Sequence, residues 1–189
     1  MTEKKINLKS KHMERGPQNW MFNDGYFQLS EGRRFRTGHL EIGGETKEGL
    51  LRSLSQNHII VSPFALDVIN KNIVFSEDRL EINIVRISAW DMDINKRIPR
   101  SQLFKKAFDA GLELCPLETA VYLRLADTRQ KINTAYSVAS EPMVDPNRRK
   151  RIFRLANNRG DLELNALWPG PFDKIWSIDE NFVFRVKSR

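Results

Sequence analysis

Apolar residues recur at the spacing of one helix face in three segments of this chain, 47–56, 63–69 and 100–110. Thr46 and Ser62 stand where N-cap residues belong, because a hydroxyl oxygen there can accept a hydrogen bond from the first free amides of a helix. The sequence therefore predicts three short helices. Their predicted inward-facing residues are Leu50, Leu51, Leu54, Phe64, Ala65, Val68, Ile69, Leu103, Phe104, Ala107 and Phe108.

Other segments alternate apolar with polar residues, which is typical of half-buried strands. Residues 73–75 and 80–88 flank the polar turn 76–79, and this arrangement predicts a hairpin. Gly111 follows the third helix and suits a left-handed helix stop, because glycine adopts positive φ without steric cost. Beyond it the pattern predicts five further strands, at 121–125, 135–139, 152–155, 162–167 and 182–184.

These elements predict an α+β protein. Its C-terminal part is expected to be an antiparallel β-meander braced by helix 100–110, and its N-terminal part a smaller lobe of two short helices and irregular strands. Residues 1–16 are rich in lysine and poor in large apolar groups, so they are expected to form a flexible basic arm. Residues 17–189 are expected to form a single globular domain, with a sub-boundary near 70–72.

One combination of motifs resembles a known pattern. The run Gly111–Pro116 (GLELCP) is followed by Leu123–Leu125 (LRL) and by a tryptophan-rich tail that ends at Phe182–Arg185. This combination resembles a pattern found in uncharacterised bacterial proteins. The resemblance covers about the second half of the chain and implies a recurring domain without a known activity.

The composition narrows the cellular setting. Cys115 is the only cysteine, which excludes a disulfide within one chain. No apolar run of the length of a signal-peptide core or a membrane span occurs in the sequence, so we expect a cytoplasmic protein that has no membrane partner. The net charge of +7 favours contact with an anionic partner such as nucleic acid.

The cations are concentrated in two places. One is the segment 31–39, where arginines surround the ring of Phe35, and the other is the four-residue run 148–151. At the first place, guanidinium groups beside an aromatic ring can bind phosphates and stack on bases, although structural packing and surface charge explain the segment too. At the second place, four consecutive cations repel one another, which favours an anionic partner. A solvated turn that protects a sheet edge explains the second place equally well. The predicted anion-binding residues are Arg33, Arg34, Arg36, Arg148, Arg149, Lys150 and Arg151.

Trp168 and Trp176 enclose a loop that contains Pro169, Gly170 and Pro171. Aromatic residues in such loops form flat platforms that bind bases, sugars or peptides, or they cover the end of a sheet. The sequence predicts an aromatic platform here and leaves the covering role open. The same loop could serve as the contact of a structural or partner-binding module in a larger assembly.

No catalytic residue, cofactor or metal site is predicted. His12, His39 and His58 lack metal-ligand spacing, and Cys115 has the leucine-rich surroundings of an inert buried thiol. The leading hypothesis is a non-catalytic intracellular protein whose cationic face binds an anionic partner. An alternative is a hydrolase of a phosphate ester or saccharide, in which the segment 33–39 would bind the anion and His39 or a carboxylate would act as acid or base.

Overall fold

The computed structural model describes the backbone of residues 22–168 and 175–187, and the side chains of residues 25–168 and 177–187. The predicted basic arm, 1–16, lies outside these residues, so that prediction stays untested.

Twelve strands and four helices alternate irregularly along the described chain. The helices are α1 (Lys47–Gln56), α2 (Pro63–Asn72), α3 (Arg100–Asp109) and α4 (Thr119–Ala126), and a 3₁₀ turn spans Trp90–Met92. The strands are β1 (Phe22–Gln28), β2 (Arg34–Ile42), β3 (Ile60–Val61), β4 (Leu80–Ser88), β5 (Ile98–Pro99), β6 (Leu112–Glu113), β7 (Thr134–Val138), β8 (Met143–Val144), β9 (Lys150–Asn158), β10 (Asp161–Leu167), β11 (Ile175–Trp176) and β12 (Asn181–Val186).

Ten of these strands form one sheet, whose main path runs β1-β2-β4-β12-β7-β9-β10-β3. The short strands β6 and β8 pair with β12 and β9, while β5 and β11 form a separate pair. Neighbouring strands are antiparallel except for the parallel pairs β12–β7 and β10–β3. The α+β class predicted from the sequence is confirmed.

Helices cover both faces of the sheet, and each face has its own core. The first core packs α1, α2 and α4 on one face, and the second core packs α3 and the 3₁₀ turn on the other. Strand β12 serves both, because Val183 faces the first core while Phe182 and Phe184 face the second. The ring of Phe104 in α3 lies 5.5 Å from that of Phe182 and 5.3 Å from that of Phe184, so the predicted bracing of the sheet by this helix is confirmed.

The helix starts follow the capping residues read from the sequence. The hydroxyl of Thr46 accepts a hydrogen bond from Gly49 N at 3.1 Å, and that of Ser62 accepts one from Ala65 N at 3.3 Å. Each cap satisfies one of the free amides at a helix start. At the end of the third helix, Gly111 has φ of +90°, as its predicted role requires.

The strand predicted at 121–125 is wrong, because these residues belong to α4. The helix contacts β2, β9, β10 and α1, so Ala120, Val121, Leu123 and Arg124 are all buried. A helix enclosed on most sides carries apolar residues around its circumference, and over five residues such a run cannot be distinguished from an alternating strand.

The hairpin predicted at 73–88 is only half correct. Residues 73–75 form no strand; Ile73 is buried behind α2, whereas Val74 is 93% exposed. Strand β4 pairs instead with β2 and β12. The strands predicted at 152–155 and 162–167 form a hairpin, in which β9 and β10 are joined at Asn158 and Asp161 through two residues with positive φ, Arg159 and Gly160.

The connectivity of the sheet differs from a simple meander. Strands β7, β9 and β10 are adjacent and antiparallel as expected, but β12 returns to lie between β4 and β7. The N-terminal strands β1 and β2 join the same sheet through β4. Residues 70–72 form the last turn of α2, and the division of the chain into domains stays a prediction. None of the described helices has the length and hydrophobicity needed to cross a membrane.

Candidate anion-binding surface

The turn between β8 and β9 is organised around one buried carboxylate, that of Asp145. Its Oδ1 accepts hydrogen bonds from the backbone amides of Asn147 and Arg149, each at 2.9 Å. The backbone closes the same turn, because Asp145 N donates to Arg149 O at 3.0 Å and Arg148 N donates to Asp145 O at 2.9 Å. These bonds hold Arg148 at a φ of +59°, a conformation that is unfavourable for a residue with a side chain. The turn is therefore fixed from within.

The second oxygen of Asp145 binds Arg151. Its Oδ2 lies 2.8 Å from Arg151 Nε and 2.6 Å from Nη2, and the arginine side chain is only 6% exposed. The guanidinium also stacks 3.8 Å from the ring centroid of Phe64 and donates to Ala166 O at 3.4 Å. The prediction that Arg151 faces an anionic partner does not hold, because its charge is buried and paired. Its contribution is to support the turn.

Electrostatics in this turn favour the ionised form of Asp145. Burial by itself would raise the pKa of the carboxyl group, but the amide of Arg149, the Arg151 guanidinium and the amide of Asn147 outweigh it, so the pKa lies below its ordinary value. The carboxylate and the guanidinium together form a buried ion pair whose members satisfy each other's hydrogen bonds.

The three residues before Arg151 point outward. Arg148, Arg149 and Lys150 are all exposed, and we call them the cationic turn. The guanidinium of Arg149 lies 5.5 Å from the ring centroid of Trp168, whose side chain is 51% exposed at the end of β10. Within the described residues, no carboxylate pairs with the side chain of Arg148 or Arg149. The turn therefore carries its positive charges on a fixed backbone, beside an exposed aromatic ring.

The aromatic platform predicted from Trp168 and Trp176 is tested only in part. Residues 169–174 and the side chain of Trp176 lie outside the described residues. Only Trp168 can be placed beside the cationic turn. A platform formed by both tryptophans, and its role as the contact of a partner-binding module, stay predictions.

The other predicted arginines lie at the β1–β2 hairpin and are largely engaged there. Arg33 pairs with Glu31 at 3.1 Å and also with Asp93, and the guanidinium of Arg34 lies 4.2 Å from the ring centroid of Tyr26. Arg36 is exposed on β2. We call Arg33, Arg34 and Arg36 the arginine hairpin.

The arginine hairpin and the cationic turn do not form one site. From β2 to β9 the sheet order passes through β4, β12 and β7, which makes four strand spacings. At about 4.8 Å per spacing, the two groups are roughly 20 Å apart along the sheet. A small anion bound at one group cannot reach the other, and only an extended polyanion could contact both.

The placement of His39 weighs against the hydrolase alternative. On β2, His39 is separated from Arg34 and from Arg36 by an odd number of positions. Because successive side chains of a strand alternate between its two faces, His39 lies on the opposite face from both arginines. Its Nε2 lies 3.5 Å from Glu81 Oε1 at the surface. The histidine and these arginines therefore do not converge on one substrate.

Sequence reasoning missed a buried polar network around Arg124, a residue without any exposed surface in α4. Its Nη1 donates to Gln130 Oε1 at 2.6 Å and to Ala156 O at 3.3 Å, and its Nη2 donates to Asp127 O. Asp127 in turn accepts a hydrogen bond from the Tyr136 hydroxyl at 2.7 Å. The network ties α4 to β7 and β9. No local signal in the sequence distinguishes this arginine from a surface one.

A cleft of about 420 Å³ lies at another place in the fold, between the start of α1 and the extended segment 73–77. Its charged lining residues are Glu45, Lys47 and Glu77. Because carboxylates outnumber cations in that lining, the cleft has the opposite character to the cationic turn and does not extend the anion-binding surface.

Cys115 should not react with iodoacetamide in the folded protein at about pH 8. It is 3% exposed, its Sγ lies 3.6 Å from Val183 O, and burial raises the pKa of the thiol to about 12. Only about one thiol in ten thousand would then be ionised, and the thiolate is the reactive form. Mass spectrometry should show labelling only after denaturation in guanidinium. Rapid labelling of the native protein would contradict the buried position.

Comparisons of the chain with protein-family models, curated proteins and solved structures found no match. The resemblance that the motifs at Gly111–Pro116 and Phe182–Arg185 carry therefore gains no support from them. In the part of the chain that the structure describes, no group of three His, Cys, Asp or Glu side chains is arranged to hold a metal ion. The case for a site therefore rests on the geometry of the cationic turn.

Proposed function

We propose that this chain is a non-catalytic intracellular binding protein that holds an anionic partner, with nucleic acid as the leading class, at the cationic turn. The observation that carries the proposal is the fixed geometry of the turn, in which the buried pair of Asp145 and Arg151 presents Arg148, Arg149 and Lys150 to solvent. The arginine hairpin is a secondary contact, because Arg33 is already paired with Glu31 and Asp93.

Fixed geometry matters because three neighbouring like charges repel each other. A flexible turn would separate them, whereas the hydrogen bonds to Asp145 hold the backbone that carries them in place. A partner with a row of phosphates relieves this repulsion and releases its own condensed counterions on binding. A backbone that is already held in place also loses less conformational entropy when the partner binds.

Replacing Arg148, Arg149 and Lys150 together with alanine should weaken binding to oligonucleotides most strongly at low salt. Each lost phosphate contact removes roughly 0.7 to 0.9 from the slope of log K against log salt concentration, so the slope should fall by about 2 to 3. Fluorescence anisotropy over a salt series measures this. Arg151 is kept in the variant because it supports the fold of the turn.

A variant with the same change of charge provides the control. Arg129, Lys131 and Arg159 are exposed and lie near the opposite end of β9, where that strand turns into β10. Their replacement with alanine should leave the salt slope close to that of the unchanged protein. Equal losses in the two triple variants would mean that net charge, and not the cationic turn, determines binding. Absence of binding in the unchanged protein at low salt would overturn the proposal.

A further inference from the structure

We infer that the surface beside the cationic turn takes single-stranded nucleic acid and binds its bases by stacking on Trp168 and Phe64. The inference rests on the proposed function and names the form of the anionic partner. It depends on two exposed aromatic rings that lie against Arg149 and Arg151, where the cationic turn leads into β9.

Each ring is in contact with a guanidinium group. Trp168 is 51% exposed and lies beside Arg149, and Phe64, at the start of α2, is 45% exposed and lies beside Arg151. The guanidinium of Arg151 covers one side of the Phe64 ring, and the residue is nevertheless among the exposed large apolar residues of the described chain. Both rings thus offer aromatic surface to a ligand while part of each is held by a cation.

The two rings belong to one surface. Arg149 and Arg151 are two residues apart in the chain, so along an extended segment their side chains leave on the same face. Arg151 stacks on Phe64 and also reaches the carbonyl of Ala166, two residues before Trp168. The register of β9 and β10 also places the two rings on one surface. Leu167 is opposite Ile152 in this antiparallel pair, so the next residues along, Trp168 and Arg151, are neighbours.

This combination fits a single strand better than a duplex or an acidic peptide. Duplex DNA presents phosphates to cations but keeps the faces of its bases stacked inside, where Trp168 and Phe64 cannot reach them. An acidic peptide would use the charges and leave the rings exposed. A single strand can contact both the cations and the rings. Each of its nucleotides has a phosphate, which pairs with a cation, and an unpaired base, whose flat face stacks on an aromatic side chain.

The test compares nucleic-acid ligands that have equal numbers of phosphates, so the duplex has half the length of the single strands. A single-stranded oligonucleotide, an abasic strand of the same length and a duplex are titrated against the full chain, with polyglutamate as the acidic-peptide probe. The intact strand should bind about 10-fold more tightly than the abasic strand. Trp168→Leu should reduce this difference to about 3-fold, because one of the two stacking rings remains, and should leave the salt slope unchanged. Trp168→Phe should restore part of the lost difference.

Phe64→Leu provides a second variant with the same expectation, and thermal unfolding of each variant shows whether it is folded. Equal affinity for intact and abasic strands in the folded protein would overturn the stacking inference while leaving the proposed function in place. Tighter binding to polyglutamate or to the duplex than to the single strand would overturn it as well. Loss of binding to every ligand at low salt would instead remove the proposed function itself.

Discussion

Replacing Arg124 with methionine should lower the free energy of unfolding by about 3 kcal/mol. Methionine replaces the arginine side chain as far as Nε and keeps the packing of that stem in α4, but it cannot donate hydrogen bonds. The buried acceptors Gln130 Oε1 and Ala156 O would lose the guanidinium that now serves them. Each buried acceptor left without a donor costs roughly 1 to 3 kcal/mol. Urea unfolding followed by circular dichroism measures the change.

Two further variants separate the hydrogen bonds from the substitution itself. Arg129→Met makes the same exchange at an exposed position and should change the stability by less than about 0.5 kcal/mol. Arg124→Met made in a Gln130→Leu background should cost less than in the unchanged protein, because Gln130 Oε1 is then no longer left without its donor. The background itself loses the hydrogen bonds that Gln130 Nε2 donates to Thr134 O and Leu155 O, so the comparison is made within it. A single variant as stable as the unchanged protein would show that the network does not stabilise the fold.

The helices that the sequence predicted correctly are those whose signals are local. Thr46 and Ser62 each cap a helix by accepting a hydrogen bond from an amide three residues away, so both partners of the bond lie within the same short segment of the sequence. Helix α4 has no comparable start: Glu118, the residue before it, makes no capping bond from its side chain and instead accepts hydrogen bonds from Ser76. Whether residues 119–126 form a helix or a strand depends on the strands that pack around them, and these strands are distant in sequence.

The order of the sheet was equally out of reach of local signals. The turn residues Arg159 and Gly160 indicate the β9–β10 hairpin directly, because the two strands are joined by them. The parallel pairing of β12 with β7 is formed between residues more than 40 positions apart, such as Phe182 and Ser137. Alternation predicts that a segment is a strand but does not say which strand it will pair with.

In the candidate site, too, some features follow from local sequence and others depend on contacts between distant residues. The run 148–151 is recognisable because its cations are adjacent, and three of the four are exposed as expected. Arg151 differs because Asp145, six positions earlier, folds back to meet it and turns an apparent surface charge into an internal support. The contact between Arg149 and Trp168 depends on the pairing of β9 with β10, which places residues 19 positions apart side by side.

Replacing Arg151 with methionine should lower the melting temperature at neutral pH by roughly 5 to 10 °C. The substitution leaves the side chain of Asp145, which has no exposed surface, without its cation. The carboxylate keeps the amides of Asn147 and Arg149, so the turn persists in part, but it must either stay ionised without its charged partner or take up a proton. Scanning calorimetry measures the loss, and Lys150→Met at the neighbouring exposed position should leave the melting temperature nearly unchanged.

The pH dependence of this loss shows whether the ion pair is its cause. In the unchanged protein the pKa of Asp145 lies below its ordinary value of 3.8. The pair therefore stabilises the fold above that value, and its contribution is lost as the pH falls through the lower pKa of the folded state. The difference in melting temperature between the unchanged protein and Arg151→Met should accordingly narrow below about pH 4. A difference of the same size at neutral and acidic pH would instead assign the loss to the packing of Arg151 on Phe64.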